Sequence, residues 1–132
     1  MVLVDTSVMI SFLKGEENSS INKLIDLIDR DISFGINTFI YQELLQGVST
    51  EIQFNKLKEY LDSLKFFELK NGRESYADAA RIYYNCRING ITIRSTIDCL
   101  IAQTAIENNI LLLHNDKDYT KISKIYGNLT FL

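Results

Sequence analysis

Val2-Leu3-Val4-Asp5-Thr6-Ser7 puts three apolar residues, one acid and two hydroxyls into six positions. The apolar part, rich in β-branched valine, reads as a short buried strand and is far too short to span a membrane. The strand stops at a carboxylate. Thr6 and Ser7 then open the periodic stretch Val8, Met9, Ile10, Phe12 and Leu13, which reads as a helix. Strand, acid, helix is the order that sets a ligand at the carboxyl edge of a parallel sheet.

The same alternation continues along the chain. Ile32 to Ile36, Phe66 to Leu69, Ile110 to Leu113 and Leu129 to Leu132 are further strand candidates. Between them lie helical patterns. Ser19-Ser20 caps a run through Ile21, Leu24, Ile25 and Ile28, and Asn37-Thr38 caps Phe39 to Gln46, with Gly47 as its stop. Ile52 to Leu64 is amphipathic. Glu74 to about Arg87 ends at Asn89-Gly90, a helix from Ile97 closes at Asn108-Asn109, and Asp116 opens a last helix through Tyr119, Ile122 and Ile125. Short apolar strands alternating with helices predict an α/β fold with a parallel sheet covered on both faces. The pattern leaves strand order open.

Length and composition bound the rest. At 132 residues the chain reads as a single domain, 1–132, with room for a real core. No run of about 18 apolar residues occurs and the first residues lack the layout of a secretory signal, so a cytoplasmic protein is expected. Cys86 and Cys99 are far from CxxC spacing and read as reduced core thiols. The net charge of −3 argues against nucleic acid. That objection weakens if several acids chelate divalent cations.

Four acids stand out: Asp5, Glu43, Asp98 and Asp116. Each has a plain structural reading. Asp5 can cap the first helix, and Glu43 can be a solvated helix residue, although Gly47 one turn on leaves its neighbourhood open. Ser95-x-x-Asp98 fits a capping box, and Asp116 can be an N-cap, with Asp118 as a first-turn acid that suits the helix dipole. The joint pattern says more. Asp5 and Asp116 follow strands and Asp98 heads a helix, so a doubly wound sheet can bring them to one edge. Carboxylates gathered there repel one another unless protonated or bridged by cations. Oxygen ligands without Cys favour Mg²⁺ or Mn²⁺ over zinc, and such ions suit phosphoryl chemistry by polarising the phosphate and supplying hydroxide. His114, the single histidine, adjoins the cluster and can be structural. No P-loop, no second Asp two residues past Asp5 and no G-x-S-x-G is present.

Four stretches together resemble a known family. Val2 to Ser7, Thr38-Phe39-Ile40-Tyr41-Gln42-Glu43-Leu44, Thr96-Ile97-Asp98-Cys99-Leu100-Ile101-Ala102 and Leu113-His114-Asn115-Asp116-Lys117-Asp118-Tyr119 look like the four blocks of the PIN domain, and more narrowly of the VapC toxins of toxin–antitoxin pairs. The blocks cover essentially the whole chain in order. The resemblance implies a three-layer α/β/α fold with a mostly parallel five-stranded sheet and a Mg²⁺-dependent endoribonuclease. It implies that Asp5 and Asp98 bind metal directly, that Glu43 and Asp116 complete the site directly or through water, and that Thr6 or Ser7 supports it. It further implies a homodimer and a small antitoxin protein that blocks the site. His114 stands where the family usually has Thr or Ser. Asp118 holds a common acidic position before an aromatic; Asp116 is the one expected to face the metal, with Asp118 supporting.

RNA needs basic groups beside the acids. Lys14, Arg94 and Lys117 lie close to the cluster in sequence and can hold phosphates or be solvated charges. Tyr83, Tyr84 and Tyr119 can stack bases or fill core and interface. Two other readings stay open: a PIN nuclease of RNA processing without an antitoxin, and a non-catalytic α/β binding module in which the acids are only caps.

Overall fold

In the computed structural model, which describes residues 1–132, the opening valines lie at the centre of the sheet. Strands β1 (Val2–Val4), β2 (Phe34–Ile36), β3 (Lys65–Phe66) and β4 (Leu111–Leu113) pair in the order β3-β2-β1-β4, every pair parallel. Val2, Leu3 and Val4 are all buried. Successive strand side chains point to opposite faces, so burial of all three means both faces of β1 are covered. Helices α1 (Thr6–Leu13), α2 (Ser19–Asp29), α3 (Thr38–Gln46), α4 (Glu51–Asp62), α5 (Arg73–Ile88), α6 (Thr96–Asn108) and α7 (Lys117–Ser123) supply the crossovers and the cover. The expected α/β fold with a parallel sheet is present.

The strand count differs from expectation. Leu129 to Leu132 forms no fifth strand, only an isolated parallel bridge between Leu112 and Phe131. After α7 the chain is still turning at Leu129, whose N–H bonds the Tyr126 carbonyl. Only the last residues therefore run beside β4, through Leu112 N–H to Thr130 O at 2.9 Å and Leu132 N–H to Leu112 O at 3.1 Å. The third strand is also shorter than Phe66 to Leu69, because ladder pairing stops after Phe67 N–H reaches Ile36 O at 2.9 Å. At Gly35 the neighbouring strand comes so close that a Cβ would overlap the Lys65 carbonyl, so only glycine lets β2 and β3 pair there.

Helix starts follow local chemistry. Asn18, rather than Ser19 or Ser20, caps α2 by accepting from Ile21 N–H at 3.0 Å, and the Ser20 hydroxyl instead donates to the His114 carbonyl. Asn37, buried after β2, caps α3 through Oδ1 and donates from Nδ2 to Thr104 Oγ1 on α6 at 3.2 Å. That bond ties together the two helices that carry Glu43 and Asp98. Cys86 and Cys99 are buried and unbridged. No helix is long and apolar enough to cross a membrane.

The chain leaves β1 toward β2 on one side, while β4 joins β1 on the other. Such a reversal opens a crevice at the carboxyl ends of the strands. Asp5 follows β1 and Asp116 follows β4, so both stand at that crevice.

Candidate metal centre

The strand-exit acids are anchored by several donors each. Asp5, nearly buried, caps α1: its Oδ2 accepts from Ser7 N–H at 3.1 Å and from the Ser7 hydroxyl at 2.6 Å. The Ser7 oxygen in turn accepts from Asn115 N–H at 3.1 Å, linking the β1 exit to the β4 exit. Asp116 caps α7, its Oδ1 accepting from Asp118 N–H at 3.0 Å. His114 takes the Asp116 N–H on Nδ1 at 3.1 Å, and burial pushes its pKa down, which keeps that nitrogen an acceptor. Asp118 is fully buried. Its Oδ2 accepts from the Arg94 backbone N–H and from Nε, each at 3.2 Å, while Oδ1 has no hydrogen bond and is met only by Lys121 Nζ at 3.7 Å.

The helix-borne acids have far less support. Glu43 on α3 receives one bond, from the Thr6 hydroxyl to Oε1 at 2.9 Å. Asp98 on α6 does not close a capping box. Ser95 Oγ accepts from Ile97 N–H at 3.2 Å instead, and the Asp98 carboxylate turns toward Tyr119. The Tyr119 hydroxyl lies 2.8 Å from Asp5 Oδ1 and 3.3 Å from Asp98 Oδ1. Asp5 and Asp98, which come from opposite ends of the chain, thus meet at one phenol.

Tyr119 is the contact between the acids that sequence reasoning missed. Of the two readings open to it, base stacking or core, the structure bears out the core: it is fully buried and offers no face to a base. The one available signal was a hydroxyl-bearing aromatic, rather than Phe, on the buried side of a helix headed by acids.

Electrostatics follow from the crowding. Burial, then the charges of Asp5 and Asp116, raise the Asp98 pKa to about 7 against the pull of the Tyr119 hydroxyl. Burial also raises Glu43, the Thr6 hydroxyl opposes it, and Asp5 adds to it. Asp118 goes the other way. Burial pushes it up, but the N–H groups and positive charge of Arg94 outweigh that and hold it below the usual carboxylate range. Burial and the surrounding acids push Tyr119 well above the ordinary phenol value, so it remains a neutral donor.

One carboxylate oxygen from each of Asp98, Asp116 and Asp118 lies within 4.8 Å of the others. An all-oxygen set in which buried Asp118 Oδ1 takes no hydrogen bond fits a hard divalent cation such as Mg²⁺ or Mn²⁺. Of the basic candidates, Arg94 is already engaged: Nη2 reaches Asp116 Oδ1 and Nε reaches Asp118 Oδ2, both at 3.2 Å. Lys117 is exposed in the first turn of α7. Lys14 is exposed after α1 and shares with Glu43 a groove of about 650 Å³, lined also by Ile10, Leu13, Leu57 and Tyr60.

Comparison with known proteins bears on the same residues. A family model described as the PIN domain matches residues 2–125. Relatives include the VapC ribonuclease Mb1587 of Mycobacterium bovis and ribonuclease VapC11 of Mycobacterium tuberculosis. Each is 27% identical over 126 residues, spanning 95% of this chain and 93% of the relative. Among solved structures, VapBC2 from Rickettsia felis bound to a DNA fragment from their promoter matches with a TM-score of 0.75 at 20% identity, over 100% of this chain and 98% of that one. VapBC-1 from nontypeable Haemophilus influenzae matches with a TM-score of 0.74 at 19% identity, over 100% and 97%. At that identity the structural matches speak to the fold.

Proposed function

The chain belongs to the PIN domain family, and from that premise we propose that it is a Mg²⁺- or Mn²⁺-dependent endoribonuclease, the toxin of a VapBC-type toxin–antitoxin pair. The observation that carries the reading is the gathering of Asp5, Asp98, Asp116 and Asp118 at the β1/β4 crevice, with Asp118 Oδ1 buried, without a hydrogen bond and met only by Lys121 Nζ at 3.7 Å. Relatives named as VapC ribonucleases support the substrate class. The reading as a set of caps is disfavoured by Asp98, which caps nothing yet is half-buried beside three other acids.

Asp5, Asp98 and Asp116 would hold the cation, with Asp118 completing the set from the buried side. When bound, the ion would neutralise charge on a phosphodiester and lower the pKa of an attacking water. The protein's own share is positioning and proton handling. Thr6 orients the Glu43 carboxylate through Oε1, Oε2 takes no bond and is the freer atom to accept a proton, and the raised Glu43 pKa brings it closer to neutral pH for that role. Ser7 fixes Asp5 by two bonds. Exposed Lys14 and Lys117 are the cations proposed to hold flanking phosphates.

The partners follow the same reading. The apolar groove beside Glu43 gives an antitoxin segment a seat next to the acids. Exposed Tyr76, Tyr84 and Ile88 on α5 supply apolar surface for a homodimer. The protein is proposed to act in the cytoplasm. The test is cleavage of total RNA with Mg²⁺ and with EDTA, by wild type and Asp98→Asn, followed by mapping of RNA ends after induced expression of wild type and Asp5→Ala. Metal-dependent cleavage lost in both variants is expected. Cleavage in EDTA, or equal activity in Asp98→Asn, removes the proposal.

A further inference from the structure

We propose that Tyr119 is a positioning residue for the cation: its hydroxyl sets the spacing of the Asp5 and Asp98 carboxylates, and through it the affinity of the site. This rests on the reading of those carboxylates as metal ligands. The geometry is specific. The Tyr119 ring is fully buried on α7, its centroid 5.0 Å from that of His114, which packs edge-on against Phe131 at 4.4 Å. A hydroxyl on so confined a ring has little freedom to follow a wandering carboxylate. Instead the carboxylates are referred to it, Asp5 at 2.8 Å and Asp98 at 3.3 Å.

The two acids depend on this contact unequally. Asp5 Oδ2 is already tied by Ser7 N–H and Ser7 Oγ, so Tyr119 adds the constraint on its second oxygen. Asp98 has no other hydrogen bond, and it faces the charges of Asp5, Asp116 and Asp118. Without a donor between them, repulsion favours any Asp98 rotamer that moves it away from Asp5. The hydroxyl does not block a cation. The hydroxyl has a single proton, directed to Asp5 Oδ1 at 2.8 Å and shared in a longer three-centre contact with Asp98 Oδ1 at 3.3 Å, and each carboxylate oxygen keeps a lone pair for a cation. Groups that hold ligands without touching the metal typically change its affinity by about 10–100-fold when removed.

The experiment is calorimetric titration of the intact protein with Mn²⁺, comparing wild type, Tyr119→Phe, Tyr126→Phe and Asp98→Asn. Phe retains the ring and its packing, and circular dichroism and melting verify the fold. Tyr126 is the control, a tyrosine whose hydroxyl accepts from Asn85 Nδ2 at 2.8 Å and meets no acid. Saturable binding by wild type is expected, with loss in Asp98→Asn, affinity about tenfold weaker in Tyr119→Phe, and no change in Tyr126→Phe. Incorporating p-aminophenylalanine at 119, which restores a donor on the same ring, should recover most of the affinity. RNA cleavage by Tyr119→Phe should be deficient at limiting Mg²⁺ and approach wild type at excess. Affinity in Tyr119→Phe within about twofold of wild type, or an equal loss in Tyr126→Phe, overturns the proposal and leaves the metal reading standing. No binding by wild type, or undiminished binding by Asp98→Asn, removes the metal reading and this proposal with it.

Discussion

The acids at the strand exits and the acids on the helices reach the same crevice with very different support. Asp5 and Asp116 accept backbone N–H groups as helix caps, and Asp118 accepts a backbone N–H and a guanidinium. Glu43 and Asp98 each lean on one hydroxyl, from Thr6 and Tyr119. Glu43 and Asp98 are both raised, whereas Asp118, in the first turn of α7 but met by Arg94, is lowered. A carboxylate pays for burial unless enough donors meet it. The strand exits supply those donors through caps that also start α1 and α7. The helix acids lack them, and a divalent cation is the group that would supply the missing stabilisation. Local frustration of this kind is expected where a protein keeps a site ready for a ligand.

The largest test of this contrast is Asp98→Asn set against Asp116→Ala. Asp98→Asn should reduce RNA cleavage by at least about a hundredfold while raising the melting temperature of the metal-free protein at pH 8, because it removes an unsupported charge. Asp116→Ala should also impair cleavage but lower metal-free stability by about 1 kcal/mol, the usual worth of an N-cap. If both variants destabilise the metal-free protein equally, the distinction between the two groups of acids is wrong.

A pH titration sharpens it next. The folded Asp98 pKa of about 7 exceeds the ordinary unfolded value, so between roughly pH 4 and 7 the folded protein binds the extra proton. Stability of the metal-free protein should therefore be highest at the acid end of that window and fall as pH rises through 7. Partial solvent access holds the loss to on the order of 2 kcal/mol. Denaturant melts at pH 5.5 and pH 8 measure it, and saturating Mn²⁺ at pH 8 should reverse it. Stability that rises over that range, with no response to Mn²⁺, would contradict the raised Asp98 pKa. The smallest effect belongs to Thr6→Val, which removes the one donor to Glu43. Its pKa should climb further, moving the rising limb of the pH–rate profile upward, with less than about 1 kcal/mol change in stability. An unmoved limb would mean that Glu43 does not carry the titrating proton.

Much of the architecture was legible because it is written in local periodicity. The β1 valines, the helices that follow them, and the Asn37 and Asn109 helix ends depend on neighbours a few residues away. The fifth strand failed for a reason local pattern cannot hold: Leu129 to Leu132 has strand composition, yet where it meets β4 depends on how the preceding turn delivers it. The capping box, the structural alternative for Asp98, does not form either: Ser95 Oγ accepts from Ile97 N–H, and Asp98 lies beside Tyr119, which is distant in sequence.

Read one residue at a time, the chain established the carboxylates, their order, and the strand–acid–helix grammar that takes Asp5 and Asp116 to one edge. Folding settled their company. Tyr119 lies 114 positions from Asp5 and becomes its neighbour because β4 pairs beside β1, and Arg94 closes on Asp118 across 24 positions. Hydrogen bonds and desolvation act over a few ångströms in space without regard to chain separation. Which acid is caged and which is left short of donors is therefore a property of the packed molecule.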